Sequence, residues 1–139
     1  MQPKWLFALC LTLLTQIALA ETCPTVSAIK HGALNGWQVY DSDDNKPLTA
    51  KRLADFKKSI RQFVLAEWKE NTAQRGIMRC YYVDGDGSEL EAYVAKNHFL
   101  PNKRKSEWYQ VSGSLDCAAS MGQCSFDQQK MPAKYLANN

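Results

Sequence analysis

Between residues 48 and 68 the large apolar side chains fall at Leu53, Phe56, Ile60, Phe63, Val64 and Trp68. The steps of three, four, three, one and four residues draw one stripe along an α-helix, so the pattern predicts a long amphipathic helix over the whole segment. Thr49 is its N-cap, and Leu48 and Leu53 stand where a hydrophobic staple would clamp the first turn. Further along, the period changes. Met78, Cys80 and Tyr82 alternate with Arg79, Tyr81 and Val83; after Asp84-Gly85-Asp86-Gly87 the chain returns with Leu90, Ala92 and Val94 alternating with Glu89, Glu91 and Tyr93. Two alternating runs around a Gly-rich turn predict a β-hairpin with one face under the helix. Its other face carries Arg79, Tyr81, Glu91 and Tyr93.

Weaker patterns fill the rest. Residues 26–34 read as a strand or an irregular arm, and Asn35-Gly36 marks a turn. Trp37-Gln38-Val39-Tyr40 alternates as a short strand with an aromatic ring on each face. Residues 41–47 form a polar loop whose carboxylates precede the helix, where the macrodipole favours negative charge. Residues 96–106 read as a long exposed loop with a basic cluster, Lys103, Arg104 and Lys105. Residues 107–115 are another strand, and residues 128–139 a soft tail. The fold class expected is α+β: an antiparallel sheet of four to five short strands packed on one long amphipathic helix.

The first twenty residues have a different character. Lys4 is followed by a nearly unbroken apolar run, and Ala18-Leu19-Ala20 provides a small-residue cleavage site, so residues 1–20 read as a secretory signal peptide and residues 21–139 as a single exported domain. The apolar run is shorter than the roughly 20 residues that span a bilayer, and no second one follows. Cys10 lies within that run, behind Leu9, where a lipoprotein would need a small residue.

Cleavage removes Cys10 and leaves Cys23, Cys80, Cys117 and Cys124. An even number in an exported chain predicts two disulfides, with Cys23–Cys80 and Cys117–Cys124 favoured among three connectivities. The second pair closes a short loop of small residues. The first ties the mature N-terminus to a central strand.

Charge and motifs narrow the function. Seventeen basic against fourteen acidic side chains is too balanced to argue for nucleic acid. No metal or cofactor is expected. The cysteine spacings are not paired C-x-x-C, and neither acidic stretch has the ligand spacing of a calcium loop. His31 and His98 are the only neutral-pH bases, and neither belongs to a hydrolase or metalloprotease motif. The chain is therefore expected not to be an enzyme. Aromatic residues are the remaining candidates. Trp37 and Trp68 suit the core; Trp108, Tyr109, Tyr81 and Tyr93 divide between core packing and an interface. The cluster Lys103-Arg104-Lys105 is a solvated loop or a contact for an acidic partner or lipid headgroups.

Cys23-Pro24, Gly36-Trp37-Gln38, Phe56 and Ile60, Arg79-Cys80-Tyr81-Tyr82, and Trp108-Tyr109 ahead of Cys117 and Cys124 together resemble the EirA-like family, small exported proteins associated with the type IV secretion machinery of intracellular bacteria. The resemblance covers nearly the whole mature chain. It implies a periplasmic, non-enzymatic accessory protein needed for effector delivery or intracellular growth. The partners expected are other periplasmic or envelope proteins, secretion-system components among them, or a second copy of the chain. It carries over no catalytic residue. The alternative is a periplasmic inhibitor such as a lysozyme inhibitor, also a small disulfide-stapled domain. The only loop able to enter a lysozyme cleft is the basic one at residues 96–106, and lysozyme is itself usually basic.

Overall fold

Thr25 and Thr49 each open a helix in the same way. Thr25 Oγ1 accepts from the Ala28 N–H at 3.1 Å and starts α1 (Val26–Lys30). Thr49 Oγ1 accepts from the Arg52 N–H at 3.4 Å and starts α2 (Ala50–Ser59). Each oxygen satisfies an N–H that the first turn leaves without a partner. Residues 26–34, expected as a strand or arm, thus contain the short helix α1, whose one buried side chain is Ile29. The computed structural model describes residues 20–70, 76–102 and 107–129. Residues 1–19 of the expected signal peptide, the basic cluster Lys103-Arg104-Lys105 and residues 130–139 lie outside the described residues.

The long helix is not formed. α2 stops at Ser59, and Ile60 adopts extended geometry (φ −59°, ψ 132°). No glycine ends it. Instead the Arg61 guanidinium turns back, its Nη1 donating to Lys58 O at 2.6 Å and Ile60 O at 2.8 Å, so the last carbonyls are satisfied by a side chain. From there the chain runs straight as β2 (Gln62–Lys69). Phe63, Val64, Leu65 and Trp68 fit a strand as well as they fit a helix, because a short apolar run carries both periods. Pairing decides between them. β2 is bonded on one side to β3 (Ile77–Val83) and on the other to β7 (Ser114–Cys117), and such two-sided pairing outweighs the few tenths of a kcal/mol per residue in helix propensity.

The sheet has six strands, all antiparallel, in the order β1 (Gln38–Asp41), β4 (Glu89–Asn97), β3, β2, β7 and β6 (Tyr109–Val111). This overturns the expected sheet of four to five strands on one long helix: half of the supposed helix is an interior strand. β3 and β4 form the hairpin around residues 84–88, where Asp84 Oδ1 accepts from the Asp86 and Ser88 N–H groups. The strand expected over residues 107–115 is broken at Ser112-Gly113, where Gly113 has φ +78°, and becomes the β6–β7 hairpin.

One face of the sheet is the core. Across it runs the row Val39, Val94, Cys80, Ala66 and Cys117, each fully or almost fully buried. Ala66 sits between two half-cystines, and its small side chain fits between them. Phe56 of α2, Ile29 of α1 and Ile60 pack over this row. One end is closed by a two-stranded pair, β5 (Phe99–Pro101) with β8 (Phe126–Gln128). Trp37 stacks on Phe99 at 5.7 Å, and Phe126 meets both rings edge-on at 5.8 and 4.8 Å.

Disulfides join Cys23 to Cys80 and Cys117 to Cys124, the pairing favoured from the sequence. The first bolts the N-terminal arm to the centre of β3. The Tyr82 hydroxyl holds the same arm by donating to Pro24 O. Two disulfides fit a protein that folds in an oxidising compartment. No helix among the described residues is long and apolar enough to cross a membrane.

Candidate functional site

The other face of the sheet is built by the intervening positions of the same strands. Tyr40, Tyr93, Tyr81 and Leu65 lie side by side on β1, β4, β3 and β2. Tyr40 and Tyr93 stack at 5.6 Å, and Tyr81 meets Tyr93 at 5.8 Å. The neighbouring row reads Gln38, Ala95, Arg79, Glu67, Asp116 and Tyr109. Tyr93 and Ala95 are buried yet stand outside the cluster that forms the core. This face therefore carries a second, smaller layer of packed side chains, and both described helices pack on the opposite side.

Charges hold that layer in place. The Arg79 guanidinium lies over the Tyr93 ring, 4.6 Å from its centroid, a cation–π arrangement that also fixes the arginine's orientation. The Tyr81 hydroxyl donates to Glu67 Oε1 at 3.1 Å, and Lys69 Nζ is 3.7 Å from the same oxygen. Burial, with the Glu67 charge beside it, pushes the Tyr81 phenol up to about 12. Burial raises Tyr93 as well. The Tyr93 hydroxyl donates to Asn45 Oδ1 at 2.8 Å, and the Tyr40 hydroxyl to Gln38 Oε1 at 3.1 Å. Around these groups opens a cavity of about 370 Å³, lined by Gln38, Tyr40, Asn45, Arg79, Tyr93 and Asn97 among others.

The two edges of the sheet differ. β1 is covered by the loop that follows it: Leu48 N–H donates to Val39 O, Asp41 N–H donates to Lys46 O, and Tyr40 bridges Pro47. The loop is held by Asp41, whose carboxylate accepts from the Asp43 and Asp44 N–H groups and pairs with Arg52 of α2. The Arg52 hydrogen bond, with the Asp43 amide behind it, lowers the Asp41 carboxyl below its ordinary value. The acidic residues 41–44 are thus loop and helix anchors. At the other edge, no backbone group of the described residues pairs with the outer side of β6. Its Tyr109 and Val111 are exposed, at 47 and 40%.

The aromatic candidates separate accordingly. Tyr81, Tyr93 and Tyr109 share the open face. Trp108 does not join them: it packs against the core, and its indole N–H donates to Ser125 O at 3.0 Å. Tyr40, Gln38 and Asn45 were not singled out by sequence reasoning. The signal for Tyr40 was its opposite parity to Trp37 and Val39, which puts its ring beside Tyr93 once β1 pairs with β4.

His31 Nδ1 lies 2.8 Å from Ser27 O and 3.4 Å from Ser27 Oγ. A ring nitrogen that close to a carbonyl oxygen is the donor, so it is not free to take a proton from the hydroxyl. His98, at φ +68°, is held through its backbone, which donates to Gly76 O and accepts from Gln129 N–H. Among the described residues, no three His, Cys, Asp or Glu converge as a metal site would need. Comparison with known proteins found no matching family model, no matching curated protein and no matching solved structure.

Proposed function

We propose that this chain is a non-enzymatic periplasmic accessory protein that acts by docking another envelope protein on the open face of its sheet, in support of a type IV secretion apparatus. The observation that carries the docking reading is the open face itself. Among the described residues no helix covers this side of the six-stranded sheet; it presents ordered tyrosines, an arginine and amides, and ends in an uncharged edge strand with Tyr109 and Val111 exposed. Rigid aromatic side chains with a polar tip supply large contact area at small conformational cost, which is why they anchor interfaces. An unguarded edge strand offers backbone groups for a partner to extend. The assignment to secretion rests on the family resemblance of the short sequence motifs.

The test is site-specific crosslinking in the bacterial envelope. A photo-reactive residue at position 109 should capture a defined protein, and the same residue at exposed Lys51 of α2, on the opposite side, should not. With the photo-reactive residue moved to the neighbouring exposed Gln110, the pair Tyr109→Ser with Val111→Thr should abolish capture while leaving stability within about 0.5 kcal/mol, the usual range for surface changes. Equal capture from both positions, or none from position 109, rejects the docking face. Nanomolar inhibition of a lysozyme would instead make the chain an inhibitor.

A further inference from the structure

The cavity on the open face is lined by donors. Both side-chain amides at its β1 end have their oxygens occupied, since Gln38 Oε1 accepts from Tyr40 and Asn45 Oδ1 accepts from Tyr93. What they retain for a ligand is their NH₂ groups. The third donor is Arg79. Its side chain is 20% exposed, and its Nε is buried with no hydrogen-bond partner. The nearest carboxylate, Glu67, stands 3.9 Å from Nη1, beyond hydrogen-bond length, and is engaged by Tyr81 and approached by Lys69. At the rim stands Lys96, whose ammonium donates to Asn35 O. No carboxylate lines the cavity.

A buried guanidinium nitrogen without an acceptor is costly, and charged donors are the costliest to leave unmet. Nε itself is closed off from water, so what Arg79 can offer the cavity is its remaining N–H groups, beside further N–H donors and over the Tyr93 ring, with Glu67 at 3.9 Å from Nη1. We infer that the cavity receives a carboxylate, the side chain of an Asp or Glu projecting from the docked partner, with Arg79 as its cationic ligand and Gln38 and Asn45 as flanking donors. This rests on the docking reading. Planarity favours a carboxylate, because a guanidinium presents a fork that matches two carboxylate oxygens, and Tyr93 holds that fork flat from below. Charge agrees: Arg79 and Lys96 both line the cavity and no carboxylate does, which suits an anionic group. The cavity opens on the face of the sheet, so a group entering it projects from a partner's surface, as a side chain does.

The probe is N-acetyl-glutamate amide, with N-acetyl-glutamine amide as its uncharged match, titrated into the oxidised, disulfide-bonded protein and followed by NMR. The glutamate probe should move the Arg79 Nε–H and the Tyr93 and Ala95 amide signals saturably, at about tenfold lower concentration than the glutamine probe. Arg79→Gln should erase that difference, with near-ultraviolet circular dichroism confirming its fold. The Nε–H signal of the unaltered protein reads the contact even if the variant does not fold. Equal response to both probes, or no response at Arg79, overturns the inference. So does inorganic phosphate that displaces the glutamate probe at lower concentration, which would make the cavity a phosphate site. If the probes fail while crosslinking from position 109 persists, the carboxylate pocket falls and the docking face stands. If crosslinking also fails, the docking reading falls with it.

Discussion

The two faces of the sheet are made by the same strands, one residue out of step, and they are held together by different means. On the core face, the row from Val39 to Cys117 has no charged group and is fixed by two disulfides. On the open face, the row from Gln38 to Tyr109 carries Arg79, Glu67 and Asp116 and is fixed by hydrogen bonds and ring contacts. The comparison teaches that burial alone does not mark the core. Tyr93 is as buried as Val39, both at 4%, but it is covered by polar side chains and loop residues. A side chain buried in that manner is held in position and remains near solvent, which suits recognition more than stability.

If the core face supplies most of the stability, the largest effect should come from its covalent tie. Replacing Cys23 and Cys80 together by Ser releases a link across 57 residues. The chain-entropy model then expects a loss of about 4 kcal/mol, a large part of what a small domain has. Denaturant unfolding of the double variant should show it, and a loss near zero would mean that the N-terminal arm is not part of the folded body.

A somewhat smaller loss is expected where β3 begins. Gly76 has φ +104°, and a Cβ there would stand 2.5 Å from the Trp68 indole nitrogen and 2.6 Å from Phe99 O. That indole donates to the same carbonyl at 2.7 Å, tying β2 to β5. Gly76→Ala therefore combines a disfavoured backbone with a clash and should cost about 3 kcal/mol. The same variant should leave the tyrosine contacts of the open face intact in NMR spectra. If those contacts were lost as well, the two faces would not be separable.

The hairpin, the disulfide pairs and the Tyr81–Tyr93 face were legible because alternation and cysteine arithmetic are local signals. The centre of the sheet was not. From residues 60 to 68 the apolar spacing fits three-to-four periodicity, and nothing between Ser59 and Gln62 breaks a helix by composition. The arrest comes from Arg61 folding back onto Lys58 O and Ile60 O, and the reward for straightening comes from β3 and β7. The partner β7 lies some fifty residues away, too distant for a pattern within one segment to reveal. The cavity was hidden for the same reason. Gln38, Asn45 and Arg79 carry no motif, and they meet only because β1 pairs with the far side of β4.

The smallest effect is expected on the open face, and it has a signature of its own in pH. Tyr81→Phe removes a half-buried hydrogen bond to Glu67, so at neutral pH it should cost about 1 kcal/mol. The phenol ordinarily titrates near 10.0 and is pushed up to about 12 by burial. Between those values the unfolded chain loses the proton and the folded chain keeps it. The folded state then binds more protons, so stability falls as pH rises through this window. The phenylalanine of the variant has no proton to lose. The gap between the variant and the unaltered protein should therefore narrow above pH 10.0. Some alkaline loss must remain in the variant, because Tyr82 on the core face and Tyr93 on the open face are also raised by burial. Equilibrium unfolding of both proteins at neutral pH and across the alkaline window measures the effect. A gap that stays constant with pH would mean that Tyr81 is as solvated as a free phenol, and that the open face is a bare surface instead of a packed layer.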